Sequence, residues 1–201
     1  MPAVDEMPIL AVDVDGVISL FGFDSPPPAA MVRWELIDGT PHCLLIAAGE
    51  RLNRLAGRFE LVWATGWQDR ANDRLSHVIG VGPLPVVEFD LPGAEQAAGG
   101  AAPGGGGAAP GGGGASGGGG AGGGSVAGHW KLDSLERFAG RRALAWIDDS
   151  LEPSCFEWAE RREESGAPTL LVPTEPGIGI EEAHVGALES WADDLRIALP
   201  R

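Results

Sequence analysis

Three short apolar runs that stop on acidic or hydroxyl residues limit what this chain can become more than any other feature. Pro8–Val14 (PILAVDV) carries Asp13 and runs on into Asp15-Gly16. Glu60–Ala64 (ELVWA) is followed by Thr65-Gly66, and Arg142–Ile147 (RALAWI) by Asp148-Asp149. Apolar, β-branched runs of this length read as buried strands. Leu84–Phe89 (LPVVEF) and Thr169–Val172 read as two further strands without such an ending. The segments 48–58, 68–79, 132–138, 153–165 and 181–195 read as helices, and Pro153 falls near a first turn, where its missing N–H costs little. Alternating strands and helices predict an α/β, three-layer Rossmann-like fold around a central, mostly parallel sheet. Asp38-Gly39, between Val32–Ile37 and Pro41–Ile46, is a hairpin turn signal, so a small β-hairpin is expected as an insert at 32–46.

Composition enters through one interruption. Of 32 glycines in 201 residues, 18 fall between Ala97 and Gly128, a stretch with no charged residue. It has no three-residue period, which excludes collagen, and it carries too little apolar surface to offset its ordering entropy. The expected organisation is one core in two parts, 1–96 and 129–201, separated by a disordered Gly/Ala-rich low-complexity insertion at 97–128. Residues 1–96 carry a net −8 and residues 129–201 a net −7, of −15 in all. Both parts are acidic, which disfavours extensive binding to nucleic acid. No apolar run reaches the ~18 residues of a membrane helix, and the first residues lack the positive region of a signal peptide. Cys43 and Cys155 show no metal or redox spacing. They are expected as reduced thiols of a cytoplasmic protein. Oligomeric state is not readable.

In open parallel sheets, ligands gather at the carboxyl ends of the strands. Asp13, Asp15, Asp148 and Asp149 are therefore expected at one edge, where they repel each other strongly without a cation among them. An all-oxygen set suits a hard ion such as Mg²⁺. Residues two apart on an extended chain point the same way, so Asp13 can attack while Asp15 handles a proton. A carboxylate nucleophile forming an acyl-phosphate is a known catalytic device, and phosphoryl transfer needs donors and positive charge around the moving group. Thr65 offers a hydroxyl. Lys131, the one lysine against 13 arginines, offers a compact ammonium.

On these residues the chain resembles the haloacid dehalogenase-like (HAD) phosphohydrolases. ILAVDVDGV at 9–17 matches the family's first motif, LVWAT at 61–65 the second, Lys131 the third and LAWIDD at 144–149 the fourth, in the family's order. WATGWQDRAN (63–72), LPVVEF and LAWIDDS are similar to the small HAD domains of Swiss Army Knife RNA repair proteins. The resemblance implies a Mg²⁺-dependent phosphatase working through an aspartyl-phosphate. Asp13 would be nucleophile and metal ligand, and Asp15 general acid/base with its backbone carbonyl on the metal. Thr65 and Lys131 would hold the phosphoryl oxygens, Asp148 would bind the metal directly, and Asp149 directly, through water or from behind. It further implies that the first strand lies between the second and fourth. The second acid, Asp15, favours phosphatase chemistry over dehalogenation.

Relatives select substrates with cap inserts. Here the first slot holds only a loop and the hairpin and the second holds the glycine tract, so a minimal cap and an open site are expected. The substrate is a phosphorylated molecule, a nucleotide or nucleic-acid end among the options. The competing reading is a noncatalytic HAD-fold module that binds a phosphorylated ligand or a protein partner. Trp67 is a candidate substrate contact, though packing weighs more for it. Asn72 reads first as a helix-surface residue and His129 as a solvated loop residue, and Asp148-Asp149 taken alone could be a strand–helix boundary with an N-cap.

Overall fold

The computed structural model describes residues 7–89 and 129–198. The insertion expected at 97–128 lies outside the described residues. The elements are β1 (Ile9–Val12), β2 (Ser19–Leu20), β3 (Val32–Ile37), β4 (Thr40–Leu45), α1 (Ala48–Leu55) and β5 (Glu60–Trp63). A π-helical stretch (Ala71–Ser76) then runs into α2 (His77–Ile79), followed by α3 (Leu132–Ala139), β6 (Leu144–Asp148), α4 (Pro153–Glu164), β7 (Thr169–Pro173) and α5 (Glu182–Ala198).

Four strands form a parallel sheet in the order β5-β1-β6-β7. Ile9 stands opposite Glu60 on one side and Leu144 on the other. Successive side chains of a strand point to opposite faces, and the two faces carry separate apolar clusters. Leu10, Val12, Leu61, Trp63, Ala145 and Ile147 pack with Leu52 and Leu55 of α1 and Leu188 of α5. Ile9, Ala11, Val62, Leu144 and Trp146 pack with Leu132 and Leu135 of α3 and Trp158 of α4. Each such side chain taken wholly out of water contributes about 1.5–3 kcal/mol. Strands buried on both faces explain why their sequences read as continuous apolar runs rather than as alternation. The result is the expected three-layer, Rossmann-like α/β architecture.

The chain moves from β1 to β5 on one side, then crosses back to β6 on the other. That reversal puts a crevice at the carboxyl end of β1, where α/β sheets bind ligands. Gly16 closes the turn after β1 with φ +69°, and a Cβ there would overlap the Asp149 side chain. Only glycine combines that left-handed backbone with so close an approach. The hairpin forms as expected: β3 and β4 pair antiparallel, and β2 adds to β4 as a third strand. Asp38 and Gly39 have φ of +50° and +83°, the pair of positive values that a two-residue type I′ turn needs.

Three expectations change. Leu84–Phe89 is not a full strand: it meets the sheet in a single parallel bridge, Trp63 with Val86. The reason is local. The Leu84 N–H donates to Asn72 Oδ1 and its carbonyl accepts from Asn72 Nδ2, and Pro85 has no N–H to give. The helix expected over 68–79 is π-helical through 71–76. Asn72 there is no surface residue: its Oδ1 also accepts the Trp63 indole N–H at 2.9 Å.

Candidate active site

The sheet order places three side-chain sources at one edge. Asp13 directly follows β1 and its N–H donates to the Ile147 carbonyl of β6 at 3.1 Å. Asp148 is the last residue of β6, and Lys131 immediately precedes α3. The Lys131 ammonium lies 2.7 Å from Asp148 Oδ2 and 3.1 Å from Asp13 Oδ2, and all three residues are buried. Trp146, two residues before Asp148 and on the same face of β6, donates its indole N–H to Asp148 Oδ2 at 3.0 Å. The Ser150 N–H donates to Asp148 Oδ1 at 2.9 Å. The Asp148 carboxylate is thus fixed from both oxygens, and neither it nor Asp149 caps α4, whose N-cap is Glu152.

The electrostatics are lopsided. Asp13, Asp148 and the half-buried Asp149 each present an oxygen within 4.8 Å of the others, with one ammonium to balance them. Burial pushes the Asp13 carboxyl up to about 7; Asp148 adds to the rise, and Lys131 opposes it. Asp149 is also raised, by burial first and Asp148 second. Burial alone would lower the Lys131 ammonium, but Asp13 and Asp148 outweigh it and hold the group above its usual value. A second cation among these oxygens would relieve the excess negative charge. The oxygen-only donor set fits a hard ion of the Mg²⁺ type.

Asp15 is brought to the same turn, but its carboxylate goes elsewhere: Oδ2 accepts the Trp67 indole N–H at 2.9 Å. Thr65 is buried two residues past β5, at the same edge. Its hydroxyl oxygen accepts the Trp67 backbone N–H at 3.3 Å, leaving its own O–H to donate. His129 is buried rather than solvated. Its Nδ1 accepts the Lys131 N–H at 3.3 Å, its ring packs edge-on against Trp146, and burial lowers its basicity. Trp130, half-exposed, lies over the Lys131 ammonium with its ring centroid 5.2 Å away. Cys43 and Cys155 are free and buried.

Several participants are not evident from the sequence. Trp146 has a signal there, the two-residue strand period that links it to Asp148. His42 and Ser19 have none: they pair at 3.0 Å across 23 residues because β2 happens to lie against β4. Comparison of the chain with protein families and with curated proteins returned no match.

Proposed function

We propose that the protein is a Mg²⁺-dependent phosphatase of the HAD type, cleaving phosphate monoesters through an aspartyl-phosphate on Asp13. The observation that supports this most is the buried Lys131 ammonium shared by Asp13 and Asp148 at the carboxyl edge of the sheet. An ammonium has three donors. Two are engaged here, and the third is available for a phosphoryl oxygen.

The step balances on this chain's own groups. An Asp13 carboxylate oxygen bonds to phosphorus as the bond to the leaving oxygen breaks. The leaving oxygen takes that electron pair and a proton from Asp15. Lys131 and the Thr65 hydroxyl hold the equatorial oxygens, where charge is spread during transfer. A water then gives one proton to the Asp15 carboxylate while its oxygen bonds to phosphorus. The Asp13–phosphorus bond breaks, and inorganic phosphate and free Asp13 result. Asp13, Asp148 and the Asp15 backbone carbonyl, with Asp149 beside them, would hold Mg²⁺. When bound, it supplies charge neutralisation for the phosphoryl group.

The small β2-β4-β3 sheet is the one cap-like element among the described residues, consistent with an open site and a bulky or little-selected ester, a nucleotide or nucleic-acid end included. No helix among the described residues is long and apolar enough to cross a membrane.

The test is turnover of a panel of phosphate monoesters with Mg²⁺ and with chelator, for wild type and Asp13→Asn. The expected result is Mg²⁺-dependent release of phosphate that Asp13→Asn lowers by about 10³-fold or more. Absence of turnover across the panel, or an Asp13→Asn variant equal to wild type, overturns the enzyme reading in favour of a noncatalytic binding module.

A further inference from the structure

We infer that Trp67 is a positioning residue that holds the Asp15 carboxylate for proton delivery to the leaving group, with His42 of the hairpin bracing it. The inference rests on the phosphatase reading above.

The indole N–H is a donor only. At 2.9 Å from Asp15 Oδ2, it engages that oxygen and leaves Oδ1 as the one to face the leaving group. A carboxyl so held has one oxygen to present rather than two that rotate. That matters because misplacement of a reacting group by an ångström can cost about 10²-fold in rate.

The indole is itself held on several sides. Its backbone N–H donates to the Thr65 hydroxyl. The next residue, Gln68, is not glycine yet has φ +49°, a left-handed conformation that persists only where surroundings enforce it. Those surroundings are visible: the Gln68 N–H donates to the Thr65 carbonyl at 3.1 Å and its side-chain amide to the Phe89 carbonyl at 3.0 Å. The His42 ring meets the indole edge-on, with centroids 4.8 Å apart, and His42 Nδ1 is fixed by the buried Ser19 hydroxyl at 3.0 Å. Arg70 lies over the indole at 5.8 Å. Ser19 also bridges back to Asp15 along the backbone. The acid, the indole and the hairpin thus form a closed circuit of contacts. One consequence is that Trp67 acts on catalysis through Asp15 rather than by binding substrate.

The experiment compares two phosphate monoesters, one with an alkyl leaving group that must be protonated and one with a dinitrophenyl leaving group that departs as the anion. Trp67→Phe keeps an aromatic ring but removes the N–H. It is expected to lower kcat/KM, which reports the steps up to departure of the leaving group, about 30-fold on the alkyl ester, less than the full 10²–10⁴ that general acid catalysis supplies, and to change kcat/KM on the dinitrophenyl ester little. In an Asp15→Asn background, Trp67→Phe is expected to add nothing, because the two residues act as one unit. His42→Ala is expected to show the same leaving-group pattern in weaker form, and it carries the test if Trp67→Phe does not fold. Equal loss of kcat/KM on both esters, or additive losses with Asp15→Asn, overturns the inference. A wild type that cleaves neither ester removes the phosphatase reading as well, whereas a wild type that cleaves both keeps it.

Discussion

Arg162 and Lys131 are both 3% exposed, Arg162 within α4 and Lys131 at the start of α3, the two helices that cover one face of the sheet, yet their surroundings are opposites. Arg162 donates to the Gly140 and Arg142 carbonyls, the Thr169 hydroxyl and Glu136, which is half-exposed. Those partners engage four of its five N–H groups and tie α4 to the ends of α3, β6 and β7. Among the described residues, the Lys131 ammonium meets two buried carboxylates and no carbonyl, in a cluster that still holds more negative than positive charge. A buried cation spread over carbonyls, a hydroxyl and one acid is a staple. A buried ammonium in carboxylate excess leaves negative charge that a second cation would offset, and in the proposed phosphatase its remaining donor would meet a phosphoryl oxygen. Natural proteins tolerate such imbalance mainly where binding or chemistry uses it.

The largest expected effect comes from removing the ammonium. Lys131→Met strands two buried carboxylates, so stability should fall by about 3–5 kcal/mol, read by urea titration. Turnover per folded molecule should fall by at least about 10²-fold. Added Mg²⁺ should restore more stability to this variant than to wild type, because the ion replaces the missing charge. If Mg²⁺ stabilises both proteins alike, the carboxylates do not form its site.

Arg162→Met should cost stability alone. It leaves the Gly140 and Arg142 carbonyls and the Thr169 hydroxyl without their donor, while Glu136 can turn to water. Of the three, Thr169 is buried while Gly140 is exposed and can turn to water, so at about 1–3 kcal/mol per buried group left unmet the loss should be about 2 kcal/mol. Turnover of the folded fraction and its Mg²⁺ response should match wild type. A change in either would erase the contrast between staple and site.

The smallest effect is a pH dependence. Burial first, then Asp148, raise Asp13 from 3.8 to about 7 against the pull of Lys131. Without metal, the folded protein keeps a proton there that the unfolded chain has already released across that window. The contribution of Asp13 to stability therefore declines as pH rises from 3.8 to about 7 and is constant above. A divalent ion takes the carboxylate form, so the rise in Tm on adding Mg²⁺ should be larger at about pH 8 than at about pH 6, and Asp13→Asn should abolish the difference. A Mg²⁺ response that ignores pH would place the ion elsewhere.

Much of the fold is legible in the residues themselves. β1, β5 and β6 are visible because strands buried on both faces must be continuously apolar, and the polar residues that end them mark where the sheet stops. The hairpin is visible because a type I′ turn demands two positive φ values, which Asp38-Gly39 accepts. Leu84–Phe89 passes for a full strand because its apolar pattern does not reveal that Asn72, twelve residues earlier, takes both backbone groups of Leu84. His129 passes for a loop residue because nothing in its chain neighbours shows the Trp146 ring that covers it.

The ion-pair ladder of Arg51, Arg54 and Arg58 with Glu182, Glu189 and Asp193 makes the same point on the surface. Helical spacing puts the three arginines on one side of the α1 segment. Only the packing of α1 on α5 decides that they meet acids more than 120 residues away.

By itself the sequence determined the layer class and the identity of the groups at the strand ends, because periodicity and burial are local consequences of which residues follow which. The tertiary structure alone decided which of those groups share charge: Lys131 with Asp13 and Asp148, and Asp15 not with them but with Trp67. Coulomb attraction and hydrogen bonds act over a few ångströms in space, and the strand order β5-β1-β6-β7 is what converts a separation of more than a hundred residues into contact.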